Sequence, residues 1–234
     1  MKDAEIDEAL DRAARVPHPV PAELRQRIAD SIRPTMQAVR PLPPTWLLRG
    51  GLLLSGAAVA LAGAARAGFQ GVEALTLTAR VLIFATLAVL AWIAAGQLVG
   101  EWVPGSRRRF APGGLLAMVS VVLLAVFGLL FHDYRTAHFV AAGLTCLFTG
   151  LLHAAPAALL AWWLLRRGWA VNSVSAGLVA GVLAGLAGVT MLELHCANFQ
   201  ALHLLVWHTL VVPVSGVVGA IIGWGLRKRA AAEP

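Results

Sequence analysis

Six long apolar runs constrain this chain more than any other feature. A helix needs roughly 20 residues to cross about 30 Å of hydrocarbon, because it rises about 1.5 Å per residue. Six runs reach that length, and they cover 47–65, 77–99, 113–131, 139–165, 173–192 and 203–226. The sequence therefore predicts an all-α fold, a six-helix transmembrane bundle that follows a short amphipathic tail.

The composition agrees with a membrane protein. Of the 234 residues, 59% are hydrophobic and 13% are charged, which is too apolar for an ordinary soluble domain. A net charge of +7 would suggest nucleic-acid binding in a soluble protein, but here the basic residues cluster at the ends of apolar runs. We therefore expect a lipid bilayer as a partner and no direct contact with nucleic acid. Residues 1–16 have no apolar stretch, so no cleavable signal sequence is expected.

The basic residues also give the bundle a direction. Arginines fill 107–109, 166–167 and, with a lysine, 227–229, whereas the third connection has only Arg135 and the fifth has no Lys or Arg. The positive-inside rule therefore predicts cytoplasmic N- and C-termini in a bacterial inner membrane. On this basis the chain divides into a cytoplasmic tail at 1–45, a membrane domain at 46–229 and a cytoplasmic end at 230–234.

Small residues and prolines suggest how the spans pack. Glycines recur four apart in 177-GLVAGVLAGLAG-188 and again at Gly219 and Gly223. Such spacing lets helix backbones approach closely in lipid, so we expect packing within the bundle, with a homodimer as the alternative. Pro156 and Pro213 are predicted to kink the fourth and sixth spans.

Counting the helical rise brings the unusual residues into one layer. Cys146 lies twenty residues before Arg166, which is about 30 Å and puts it at the outer boundary. Similar counts place Glu193 and Cys196 just beyond that boundary. Both cysteines and five of the seven histidines are thus predicted to share the outer layer, and these histidines are His132, His138, His195, His203 and His208.

Two chemistries suit the cysteine pair. A disulfide could join Cys146 and Cys196 if their Cα atoms come within about 7 Å, because the outer side is oxidising. Alternatively, the two thiolates and one or two of the histidines could bind a soft or borderline ion transiently, such as zinc, copper or cadmium. The spacing argues against a preformed site, because Cys196 and His203 would be about 10 Å apart on a continuous helix. A single interfacial His, or a Cys used as an apolar filler, is the simpler interpretation of each residue alone.

The tail carries two predicted amphipathic helices, one from about Asp3 and one after 17-PHPVP-21. Residues 1–40 hold seven acidic and seven basic side chains, so the tail is neutral overall. A segment below about 40 residues seldom forms its own core, so its apolar stripes need a partner, such as a hydrophobic groove. The predicted partner-binding residues are Ile6, Leu10, Leu24, Ile28 and Ile32.

Several features together resemble one known family. The tail ends in 39-VRPLPP-44, six spans follow, the fourth span contains a Cys, and 195-HC is followed by 203-H and 207-WH. In these features the chain resembles the NrsF family of multi-span anti-sigma factors. The resemblance implies a regulator, not an enzyme, that holds an extracytoplasmic-function sigma factor through its tail. It also implies that Cys146 and Cys196 sense heavy-metal or oxidative stress. Ala197 departs from the family, which often has a proline there.

The resemblance suggests a mechanism, and two other classes compete with it. Attack by metal or oxidant on the two cysteines would change how the fourth span meets the loop between the fifth and sixth spans, and the sigma factor would be freed. A membrane oxidoreductase could instead hold haem between His153 and either His208 or another interfacial His, or pass electrons through the thiols. A small transporter is the other alternative, but many ion-coupled carriers have buried Asp or Glu in their spans and two halves that repeat each other, and we expect neither feature here.

Overall fold

The computed structural model describes residues 21–33, 42–103, 110–136, 138–165, 170 and 172–232, with side chains as far as Lys228. The chain separates into two compact units, Met1–Pro41 and Leu42–Pro234. In the first unit, α1 covers Ala22–Ile32 and begins directly after Pro21, where the second tail helix was predicted. The other predicted tail helix, with Ile6 and Leu10, lies outside the described residues, as do the arginines at 107–109 and 166–167.

The second unit contains the six predicted spans. The long helices are α2 (Thr45–Ala67), α4 (Leu77–Trp102), α5 (Pro112–Leu130), α6 (Phe139–Leu165) and α7 (Ser173–His195), and the short α3 (Gln70–Ala74) follows α2. The last span consists of α8 (Ala201–His203), a π-turn (Leu204–His208) and α9 (Thr209–Ala232). All six are long and apolar enough to cross a membrane. The helical bundle is therefore confirmed, and the described residues contain no strand beyond one isolated bridge between Asp133 and Gln200.

Helix α7 is the centre of this unit. Its buried residues continue from Ala176 to Leu194, and it packs against α2, α4, α6 and α9. Small side chains along α7 leave space for neighbouring backbones, while long aliphatic and aromatic side chains from the surrounding helices, such as Leu52, Ile83 and Phe127, fill the rest of the core. The side chains at the C-terminal end of α7 are therefore surrounded by other helices.

The glycine stripe packs inside the bundle, as predicted. A Cβ atom at Gly181 would collide with the carbonyl oxygen of Ser215, and one at Gly177 would collide with that of Gly219. Because both contacts are with backbone, only glycine fits at this separation of α7 and α9.

Two buried acids overturn the expectation that the spans contain none. Helix α7 extends three residues past its predicted end at 192, so Glu193 lies on the helix with 1% of its surface exposed. At the opposite end of the bundle, Glu101 on α4 is 2% exposed and its Oε1 accepts a hydrogen bond from Gln97 Nε2 at 3.2 Å. Sequence counting placed Glu193 beyond the apolar run because it assumed that the helix ended where the apolar residues do.

The sixth span departs from α-helical geometry just before its proline. Pro213 lies inside α9, and proline has no N–H to donate to the carbonyl of Thr209 one turn earlier. Directly upstream of Thr209 the helix widens into the π-turn, and the Thr209 hydroxyl donates a hydrogen bond to the carbonyl of Leu204 at 3.4 Å. The sequence predicted a kink at Pro213 but gave no sign of the wider turn upstream of it, which lies beside the cysteines.

Candidate functional site

The two cysteines meet at one end of the bundle, which we call the cysteine end. Cys146 lies about two turns into α6, and Cys196 is the first residue after α7. Their Sγ atoms are 3.6 Å apart, and both are free thiols. Because α6 and α7 pack side by side, residues at the same height on the two helices can touch. The depth counted from the sequence predicted that they share this layer.

The chain turns back immediately after Cys196. The Cys196 amide donates to the carbonyl of Leu192 and closes α7, and the next helix begins only at Ala201, whose amide donates to the carbonyl of Asp133. As a result, Cys196 Sγ and His203 Nε2 are 3.7 Å apart. The expected separation of about 10 Å was wrong, because it assumed a continuous helix across residues 196–200.

The π-turn aligns two histidines that an α-helix would separate. His203 and His208 are five residues apart, which corresponds to about 140° around an α-helix. In a π-turn each amide bonds to the fifth preceding carbonyl, so the turn is wider and residues five apart lie closer to the same side of the helix. Their ring centroids are 5.2 Å apart, and both side chains are fully buried.

Glu193 orients one of these histidines. Its Oε1 lies 2.6 Å from His208 Nδ1, inside the protein. With the proton on Nδ1, that nitrogen donates to the carboxylate and Nε2 carries the lone pair. His208 Nε2 is buried, and no described protein group meets it in hydrogen-bonding geometry. Sequence reasoning missed this role of Glu193, whose only signal is an acid near the end of an otherwise apolar span.

Four side chains form the core of the candidate site, and we call them the Cys2His2 cluster. The ligand atoms of Cys146, Cys196, His203 and His208 all lie within 4.8 Å of one another. The contact with Cys146 and the hydrogen bond with His203 lower the pKa of the Cys196 thiol, although its burial acts in the opposite direction. Because thiolate is both the nucleophile and the metal-binding form, the surroundings of Cys196 favour reaction with oxidants and with soft or borderline ions.

The remaining predicted histidines lie elsewhere. His132 and His138 are exposed in the connection between α5 and α6, and neither is part of the Cys2His2 cluster. His195 is at the C-terminal end of α7, where its Nδ1 is 3.3 Å from the carbonyl oxygen of Gly68. His153, considered above as a haem ligand, lies deeper on α6 with its Nδ1 2.9 Å from the carbonyl oxygen of Thr149.

A cavity gives access to the thiols. It has a volume of about 510 Å³ and touches Cys146 and Cys196, but neither His203 nor His208. Its other lining residues are Gln70, Thr145, Thr149, Leu192, His195, Ala197 and Asn198. A small reagent in this cavity would therefore meet the sulfurs first, while the imidazoles lie behind them in the protein.

A comparison with known protein families identifies a match that extends over the membrane domain. The model of the NrsF family, described as a negative regulator of sigma F, matches residues 34–227. The chain belongs to the NrsF family. A protein of this family is a negative regulator whose partner is a sigma factor, and the match reaches all six spans and ends one residue before the end of the last. No curated protein and no solved structure matches this NrsF-family chain significantly.

Proposed function

We propose that this NrsF-family protein is an anti-sigma factor of the bacterial inner membrane that holds an extracytoplasmic-function sigma factor through residues 1–45. Reaction of Cys146 and Cys196 with a metal ion or an oxidant releases the sigma factor. The observation that carries the proposal is the 3.6 Å approach of two free thiols beside a cavity, in a member of a family of sigma regulators.

The charge distribution supports an orientation with the cysteine end outside. In the sequence, basic clusters at 107–109 and 166–167 follow α4 and α6, and a third at 227–229 is near the end of α9, whereas the connection between α5 and α6 has only Arg135. The positive-inside rule then puts both termini in the cytoplasm. In this orientation the thiols face the oxidising side of the membrane, where they can react with agents that have not entered the cell.

The tail supplies the proposed sigma-binding surface. In α1, Leu24, Ile28 and Ile32 are 44–48% exposed, and their spacing of four residues puts them on one helix face. An amphipathic helix with such a stripe is suited to a hydrophobic groove of a partner protein. This stripe precedes the residues matched by the family, so the assignment depends on the helix itself.

Either reaction would rearrange the contact between α6 and residues 196–200. Oxidation would join the two sulfurs, and two electrons and two protons would pass to the oxidant. A divalent soft metal ion would instead replace the two thiol protons. Moving the tail from mostly bound to mostly free takes about 5.5 kcal/mol of differential interaction free energy between the two arrangements. A disulfide typically contributes about 2–4 kcal/mol of stabilisation. One covalent bond would thus supply a large part of the switch.

Co-purification tests the proposed partner. Full-length protein in detergent or nanodiscs is presented with each sigma factor of the source organism, and one extracytoplasmic-function member should be captured. Ile28→Glu should weaken that capture more than tenfold, because burying an isoleucine contributes about 1.5–3 kcal/mol. Gln26→Glu is the matched control, since this substitution adds the same charge to the same exposed helix but on the face away from the stripe. Equal capture by wild type and Ile28→Glu would contradict the proposed surface.

A further inference from the structure

We propose that Cys146, Cys196, His203 and His208 form a four-coordinate site for one zinc-like divalent ion, with Glu193 as a positioning residue. The inference deepens the proposed function, because it shares both cysteines with the proposed sensor. It adds two histidines and a carboxylate to that sensor, and it concerns metal binding by the chain itself. Its test therefore needs no sigma factor.

The distances within the cluster fit a tetrahedral ion. Zinc bonds to sulfur at about 2.3 Å and to nitrogen at about 2.0–2.1 Å, so a tetrahedron puts two sulfurs about 3.8 Å apart and a sulfur and a nitrogen about 3.6 Å apart. The observed values are 3.6 Å between the sulfurs and 3.7 Å between Cys196 Sγ and His203 Nε2. No ligand pair exceeds 4.8 Å, so small side-chain adjustments complete the coordination shell.

The protonation pattern of His208 also fits a ligand. Glu193 accepts the Nδ1 proton at 2.6 Å and leaves the Nε2 lone pair free. A carboxylate behind a metal-bound histidine is a common outer-shell partner that fixes the ring and raises its basicity. His208 is fully buried, and its Nε2 has no protein partner in hydrogen-bonding geometry among the described residues. A buried polar atom of this kind is costly without a partner, and a bound cation would supply one.

The charges of the cluster suit a divalent ion. Binding replaces two thiol protons, so an ion of charge +2 and two thiolates form a neutral centre with two uncharged imidazoles. Four protein ligands leave no open position for substrate, which is typical of structural rather than catalytic zinc sites. The ligands come from α6, the connection after α7, α8 and the π-turn, so one ion would tie four parts of the cysteine end together.

Metal titration of the reduced, full-length protein tests the site. With Zn²⁺ we expect one ion bound per chain by elemental analysis, and with Co²⁺ the visible absorption of a tetrahedral complex with a sulfur-to-cobalt charge-transfer band. Cys196→Ser, His203→Ala and His208→Ala should each lower the Zn²⁺ affinity at least 100-fold. His132→Ala is the control, and it should bind as wild type because His132 is exposed and lies outside the cluster.

Glu193→Gln tests the positioning role separately. Glutamine keeps an oxygen that can accept the His208 proton but removes the charge, so the tetrahedral Co²⁺ spectrum should remain while the affinity falls about 10- to 100-fold. Size-exclusion profiles and circular dichroism identify variants that do not fold, and His→Gln replaces any His→Ala change that fails. A folded wild type with no tetrahedral Co²⁺ spectrum, or folded histidine variants with wild-type affinity, would overturn the site. Neither result would contradict the proposed function, in which Cys146 and Cys196 alone sense metal or oxidant and the tail binds a sigma factor.

Discussion

At the scale of single residues, the two cysteines differ in their surroundings. Cys196 contacts both Cys146 and His203, and these contacts favour its thiolate, which is the reactive form. Cys146 lies on α6 and meets the same cavity. We therefore expect an incoming oxidant or metal ion to react first with Cys196, and Cys146 to complete the disulfide or the metal complex.

Replacing either cysteine should abolish the response to metal and oxidant, while the protein should still repress the sigma factor. In cells that carry a sigma-dependent reporter, Cys146→Ser and Cys196→Ser should each keep the reporter low with and without cadmium or peroxide, because neither variant can form the disulfide or present two thiolates. Thr145→Ala is the matched control, since Thr145 neighbours Cys146 and lines the same cavity. Normal induction in the double serine variant would refute the thiol switch.

At the scale of secondary-structure elements, the contact between α7 and α9 is set by small residues. Gly181→Leu should lower the thermal stability of the detergent-solubilised protein, because its Cβ would meet the carbonyl oxygen of Ser215. Overpacking of this kind typically costs about 1–3 kcal/mol. Gly225→Leu is the matched control on α9, since a Cβ there has no neighbour within 4 Å. Equal melting temperatures for the two variants would contradict the close α7–α9 contact.

The π-turn is the element that converts this helix packing into a candidate site. It presents His203 and His208 to the same side, next to the end of α7 that carries Glu193 and Cys196. Wide turns of this kind often occur at functional sites. The cluster therefore depends on one irregular turn as well as on the order of the helices.

At the scale of the whole molecule, the orientation can be tested directly. We introduce His132→Cys or Arg227→Cys into a chain that carries Cys146→Ser and Cys196→Ser, because both positions are exposed at opposite ends of the bundle. A membrane-impermeant maleimide should label His132→Cys in cells with a permeable outer membrane, and Arg227→Cys only after lysis, as the positive-inside rule requires. The reverse pattern would put the cysteine end in the cytoplasm.

The binding free energy of a metal ion at the cysteine end would also be large enough to shift the equilibrium between two arrangements of the bundle. Structural zinc sites contribute about 10–16 kcal/mol in small peptides, whereas the proposed switch needs about 5.5 kcal/mol of differential interaction. If the ion binds one arrangement of the helices more tightly than the other by even a fraction of that free energy, the bundle would shift to the favoured arrangement. The proposed site and the proposed release of the sigma factor are thus compatible in magnitude.

The sequence by itself determined the six spans, the glycine-mediated packing and the arrival of both cysteines at one end. The spans and the level of the cysteines follow from length, apolarity and helical rise, and the packing follows from the four-residue spacing of the glycines, all of which are local properties of each run. Only the tertiary structure decided which histidines meet the sulfurs. His203 reaches Cys196 because the chain turns back at 196–200. His208 lies beside His203 because of the π-turn. Glu193 on α7 meets His208 on the neighbouring span. These contacts depend on a helix end, an irregular turn and the lateral order of the helices, and hydrophobic periodicity encodes none of the three.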